Sequence, residues 1–201
     1  MKIFVIISLL LAASLLLFQL YLVLASKNSE TQKYQVVFKG KAFEIRHYPT
    51  VAMATINSTA KTYQELGSSG FGVLAKYIFG GNERNLHIAM TSPVHMDIND
   101  YNSSMSFVMP SKYLQENLPK PINTEVFIET VADEYVAAVG FGGFATETDI
   151  KINTRKLERA LKAASIDHYG SFRMLGYNPP FQLLGRRNEI IVNVEWDQKE
   201  Q

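Results

Sequence analysis

Apolar residues fall along this chain in three distinct patterns. From Ile3 to Ser26 no residue is charged, and the run to Leu24 is interrupted only by Ser8, Ser14 and Gln19. At the rise of a helix, that length spans a bilayer core. Beyond it, short alternating runs take over, the signature of strands with one buried face. Tyr34–Phe38 and Ala42–His47 flank Gly40 as a hairpin, Pro49 punctuates, and Thr50–Ile56 reads as a further strand. A helical spacing then appears, with Phe71, Leu74 and Ile78 on one face of a helix over Tyr63–Phe79, stopped by Gly80-Gly81-Asn82.

Strands are expected next at His87–Ile98 and Ser104–Met109, the second ended by Pro110. The order then repeats. Glu125–Val131 and Tyr135–Phe141 read as strands. A helix over Glu147–Ser165 carries Leu157, Ala160, Leu161 and Ala164 on its apolar face, and Thr146 with Asp149 resembles a capping box. Ser171–Tyr177 and Glu189–Trp196 close the chain as strands. Two ββαββ halves predict an α+β domain with a pseudo-twofold repeat, two main helices packed on a curved antiparallel sheet or distorted barrel.

Composition adds limits. With 201 residues and 47% hydrophobic content, one ordinary domain is expected. Cysteine is absent, which excludes disulfides, Cys-type zinc sites and cysteine nucleophiles. Net charge is +1, and nothing in its distribution recommends a nucleic-acid partner. The organisation read from this is a membrane anchor or signal peptide at 1–26, a polar linker at 27–33, the folded domain at 34–196 and a polar tail at 197–201. An uncleaved transmembrane signal-anchor and a cleaved signal peptide both remain open. Lys2 and Val23-Leu24-Ala25 suit cleavage, whereas signal cores usually run about 7–15 residues and this one is longer. The domain is thus expected to be membrane-anchored or exported.

Candidate chemistry is sparse. His87, Met90, His95 and Met96 would suit a soft metal such as Cu(I), but an ordinary core strand explains them better. Gly67-Ser68-Ser69-Gly70-Phe71-Gly72 lacks the dinucleotide-binding spacing, so its glycines either soften the helix or leave room for a flat ligand. No nucleophile elbow is present and no acid/base pair stands out. Asn57-Ser58-Thr59 and Asn102-Ser103-Ser104 are glycosylation sequons of a kind common by chance.

Four separated stretches carry a family resemblance: Lys76–Asn82, Ile88–Val94, Phe107–Ser111, and Tyr177–Phe181 followed by Arg186-Arg187-Asn188-Glu189. Together they are similar to the SOUL haem-binding family over about Tyr34 to Val194. The resemblance implies the SOUL fold, related to bacterial effector-binding domains, and reversible binding of haem or another tetrapyrrole for buffering or delivery. Such a ligand needs an apolar wall, basic groups for its propionates and optionally an axial imidazole. Phe71, Leu74 and Ile78 on the first helix and the apolar loop around Tyr177 and Phe181 would supply the wall. Lys76, Arg84, Arg186 and Arg187 are the basic candidates, and His47 matches a proposed haem-iron axial ligand in one branch of the family. Ser68 and Gln182 stand where some relatives carry basic residues. Two other readings accompany this one: an effector-binding module using the groove for a different hydrophobic ligand, and an enzyme acting on tetrapyrroles, which nothing in the sequence demands.

Overall fold

The computed structural model describes residues 2–99, 102–113 and 115–196, so the polar tail lies outside the described residues. The apolar run forms one helix, α1 (Lys2–Asn28), with an apolar stretch from Lys2 to Ser26 long enough to cross a membrane. The strands are β1 (Glu30–Thr31), β2 (Gln35–Lys39), β3 (Glu44–Tyr48), β4 (Val51–Ser58), β5 (Thr91–Ser92), β6 (Val94–Asp97), β7 (Ser103–Val108), β8 (Val126–Val131), β9 (Glu134–Gly142), β10 (His168–Gly176) and β11 (Arg187–Val194). Two further helices, α2 (Tyr63–Ile78) and α3 (Glu147–Ala163), interrupt them.

Nine strands form one curled antiparallel sheet, a half-barrel in the order β2-β3-β9-β11-β10-β6-β7-β4-β8. The repeat is visible in that order. The halves β3-β4-α2-β6-β7 and β8-β9-α3-β10-β11 meet at the β6–β10 seam, and each lends its first strand to the other: β3 pairs with β9, and β8 with β4. The expected α+β architecture with two main domain helices is therefore present.

Local chemistry explains both helices. Thr62 caps α2 by accepting from the Glu65 backbone N–H. Thr146 and Asp149 form a reciprocal capping box on α3, which satisfies two amides that a helix start otherwise leaves without partners. Leu66, Leu74 and Ile78 of α2 and Ile150, Leu157 and Leu161 of α3 pack on the concave face of the sheet with Ile56, Phe107, Val139 and Ile190. A smaller cluster on the convex face joins Tyr48, Val136, Ala138, Leu175 and Ile191.

The region expected as one strand at 87–98 is broken. Pro93, which follows a cis peptide bond, separates β5 from β6; proline cannot donate to a ladder. The expected linker is partly ordered onto the domain. Glu30–Thr31 pairs in parallel with Thr91–Ser92, the Gln32 N–H donates to the Ser92 carbonyl at 2.8 Å, and Gln32 Oε1 lies 2.7 Å from His95 Nε2.

Candidate ligand-binding groove

A groove of about 970 Å³ opens on the concave face at the seam between the two halves, near the upper end for small-molecule sites. Strand alternation builds its floor. Met174 on β10 sits opposite Met96 on β6, which sits opposite Met105 on β7. The three side chains form a row of thioethers across the seam, and all three line the groove. Such side chains are polarisable and adapt to a flat partner. Helix α2 makes one wall through Gly67, Ser68, Phe71 and Gly72, the face i, i+1, i+4, i+5 from position 67. Phe71 meets Phe107 edge-on at 5.2 Å between ring centroids.

The glycines of α2 have separate roles. A Cβ at Gly70 would come within 2.7 Å of Ile56 Cδ1, so this glycine lets the helix approach the sheet. A Cβ at Gly67 would face only Met96 Cε at 3.8 Å, and one at Gly72 would meet nothing within 4 Å. These two keep the groove wide.

The opposite wall is the β9–α3 bend, Phe144 to Thr148, with Asn178, Pro180 and Arg186 of the β10–β11 loop. Glu147, in the first turn of α3, accepts from the Tyr63 and Gln64 backbone N–H groups at 2.6 and 3.3 Å. A carboxylate at a helix N-terminus is favourable, and this one joins the two walls at one end. Asn188 Nδ2 donates to the Gly143 carbonyl at 2.8 Å, which fixes the bend.

Arg186 staples the loop. Its Nη1 donates to the Pro179 and Gln182 carbonyls, both at 2.7 Å, and its guanidinium lies 4.5 Å from the Phe144 ring centroid. Its Nε is buried without a partner. Burial holds the guanidinium below the usual arginine value, although arginine stays charged in proteins. An unpartnered cationic N–H beside an apolar groove suits a carboxylate.

The sequence candidates divide. Phe71 and Arg186 line the groove. Leu74 and Ile78 are 0% and 1% exposed and belong to the helix–sheet core, one and two turns further along the helix than Phe71. Lys76 is exposed on α2, and neither it nor Arg84 is among the lining residues. Tyr177 and Arg187 lie on the convex side. Tyr177 Oη donates to Glu189 Oε2 at 2.8 Å, Arg187 donates to Glu189 Oε1 at 2.7 Å, and the Arg187 guanidinium stacks 4.0 Å from the Tyr177 ring centroid. Buried Arg46 completes this network, donating to Glu189 at 2.7 and 3.2 Å. Burial alone would push the Glu189 carboxyl up, but Arg46 and then Arg187 outweigh it and hold it below the usual glutamate value.

His47 also lies outside the groove lining. Its Nε2 is 3.3 Å from Asp133 Oδ2 and its ring packs on Tyr135 at 4.8 Å. Phe181 is 72% exposed at the loop tip, and its carbonyl accepts from Gln19 of α1. The soft-metal grouping is not assembled, because His95 bonds Gln32 while Met96 lines the groove. Among the described residues, no group of three or more His, Cys, Asp or Glu side chains is placed to hold a metal ion. Groove residues that the sequence reading does not assign to the ligand include Met105, Phe144, Met174 and Asn188.

The SOUL heme-binding protein family matches residues 29–193. Heme-binding protein 1 of Xenopus laevis is 30% identical, over 80% of this chain and 90% of that protein. Heme-binding protein 2 of Homo sapiens is 29% identical, over 74% and 76%. Among solved structures, the EcmrR C-terminal domain superposes with a TM-score of 0.59 at 8% identity, covering 82% of this chain and 99% of that one. An uncharacterized conserved protein from Listeria innocua gives 0.53 at 8% identity, covering 77% and 93%. These two likenesses concern the fold alone.

Proposed function

This chain belongs to the SOUL heme-binding protein family, and from that premise we propose that the seam groove binds haem or a related tetrapyrrole reversibly, for buffering or delivery. The observation that carries the reading is the groove itself. A row of three methionines forms an apolar floor, Phe71 and Pro180 stand on facing walls, and the half-buried Arg186 guanidinium has a buried, unpartnered Nε. The macrocycle faces would pack on Met96, Met105, Met174 and Phe71, and Arg186 would meet a propionate. Enclosure by apolar surface supplies affinity, and a single charge-assisted contact supplies orientation. Because no histidine is among the lining residues, axial ligation by imidazole is no part of this proposal. Bound haem supplies the Soret absorbance through which occupancy is read.

Titrating the full-length protein in detergent with hemin tests this. A saturable Soret shift at one equivalent is expected, reduced in Arg186→Gln and lost on filling the groove. A flat response would remove the reading. A second reading is favoured by the lack of a lining imidazole: the groove takes another flat, hydrophobic anion. Competition of such an anion with hemin at one equivalent would separate general from tetrapyrrole-specific binding. For location, we propose that α1 is a retained membrane anchor, since its exposed apolar surface has no other cover in the fold. If the full-length gene product is instead recovered in the exported soluble fraction with Ser26 at its N-terminus, α1 is a cleaved signal peptide.

A further inference from the structure

The β10–β11 loop carries large apolar side chains that the groove does not use. Phe181, Leu183 and Leu184 are 72%, 50% and 62% exposed at its tip. The same tip is clamped to α1. Gln19 Nε2 donates to the Phe181 carbonyl at 3.1 Å, and the Leu183 N–H donates to Gln19 Oε1 at 2.8 Å. Gln19 is buried, and Leu22, Val23 and Ser26 on the same helical face are half-buried, whereas residues 2–18 are exposed throughout.

Depth follows from helix geometry. A hydrocarbon core about 30 Å thick takes about twenty helical residues. Counted from Ile3, that stretch ends at Leu22, which places Gln19 roughly 5 Å inside the core at 1.5 Å per residue. The backbone of Phe181 and Leu183, within hydrogen-bond distance of Gln19, shares that depth. Each backbone polar group left unsatisfied at that depth would be strongly unfavourable. Here several of these groups are satisfied by protein. The Pro179 and Gln182 carbonyls accept from Arg186, the Leu184 carbonyl accepts from Gln182 Nε2 at 2.7 Å, and the Gln182 N–H donates to the Pro179 carbonyl at 3.1 Å. Gln182 itself is 1% exposed, so the polar side chain of the tip turns inward while the apolar ones remain outside.

We infer that the Phe181–Leu184 tip is a membrane-dipping element, immersed in the acyl region of the bilayer and registered there by Gln19. The inference rests on α1 being a retained anchor. It assigns the exposed apolar tip a partner, lipid, and it explains a glutamine in a span otherwise interrupted only by Ser8 and Ser14. Because Asn178, Pro180 and Arg186 of the same loop line the groove, one wall of the groove stands at the membrane surface. The ligand class it favours is a flat amphiphile that partitions into lipid with its carboxylates at the interface.

The cysteine-free chain permits a direct depth measurement. Nitroxide labels are placed at Phe181→Cys, Leu184→Cys, Tyr21→Cys on the span and Glu158→Cys on exposed α3, in full-length protein in phosphatidylcholine vesicles. Collision with oxygen, which concentrates in lipid, is compared with collision with a polar nickel chelate. Labels at 181, 184 and 21 are expected to favour oxygen several-fold over the label at 158. If the labels at 181 and 184 behave like that at 158 while the label at 21 stays in lipid, the inference is overturned and the anchor stands. If the label at 21 is also in water, the anchor reading fails and the inference falls with it. Neither result bears on hemin binding, which is read separately by absorbance.

Discussion

Replacing Arg46 by methionine isolates the ion network that roots the groove loop. Arg46 is 5% exposed and Glu189 2% exposed, so neither is relieved by water. The substitution removes two hydrogen bonds to Glu189, at 2.7 and 3.2 Å. Glu189 keeps Tyr177 Oη and the Arg187 guanidinium, but the Arg187 side chain is 45% exposed and therefore a partly screened partner. Removing one member of a buried pair costs about 3–5 kcal/mol, and the remaining partner places this case near 3. At roughly 2–4 °C per kcal/mol for a domain of this size, melting should fall by roughly 6–12 °C. Arg187→Met removes only the screened partner and should cost less than half as much. The pH dependence has a definite sign. In the natural protein the Glu189 carboxyl lies low, so its contribution is present above the unfolded glutamate value and is lost as pH falls through the folded one. Without Arg46, burial pushes the carboxyl up, and protonation relieves the variant. The gap in melting temperature between the two proteins should therefore narrow from pH 7 to pH 5. Thermal melts of both variants in detergent decide the matter. A fall below 2 °C for Arg46→Met, equality with Arg187→Met, or a gap that widens towards pH 5 would refute the reasoning.

Gly67→Leu should fill the groove beside Met96 and weaken hemin binding at least tenfold by absorbance titration, while leaving the melting temperature unchanged or higher because the helix interior gains a better former. His47→Ala should leave the Soret maximum and the hemin affinity unchanged, since the ring is engaged by Asp133 and Tyr135; a shifted spectrum would place the imidazole on iron after all. Burial, and secondarily Arg173, pushes His95 down to about 3. Its folded value lies below the unfolded one, so stability is present above about pH 6.5 and declines as pH falls towards 3. His95→Gln should flatten acid unfolding in that window, and an unchanged profile would show that His95 does not control it.

The architecture was largely legible because its signals are local. Thr62 and Thr146 start the two domain helices, and apolar spacing carries them to Ile78 and Ala163. The site was less legible because its floor comes from three strands. No local pattern brings Met96, Met105 and Met174 together; only the pairing register does. Parity along the strands would have sorted part of the loop. Leu175 and Tyr177 fall on the convex side while Met174 and Gly176 line the groove, and Arg187 and Glu189 fall opposite Asn188. Apolar character near a binding loop does not say which face a side chain takes, so the sequence alone groups Tyr177 with the ligand wall. Phe71 was separable from Leu74 only by helix rotation, which depends on where the sheet lies.

The strap of Glu30–Thr31 along Thr91–Ser92, continued by Gln32 to Ser92 and His95, has a dynamic consequence. A domain on a long leash tumbles and meets its ligand from any direction in the surrounding volume. Here the strand begins two residues after α1 ends, so the domain inherits the tilt and rotation of the helix. With an anchored α1, search for ligand becomes two-dimensional, and neighbours diffusing in the same sheet of lipid meet the groove at a fixed height and angle.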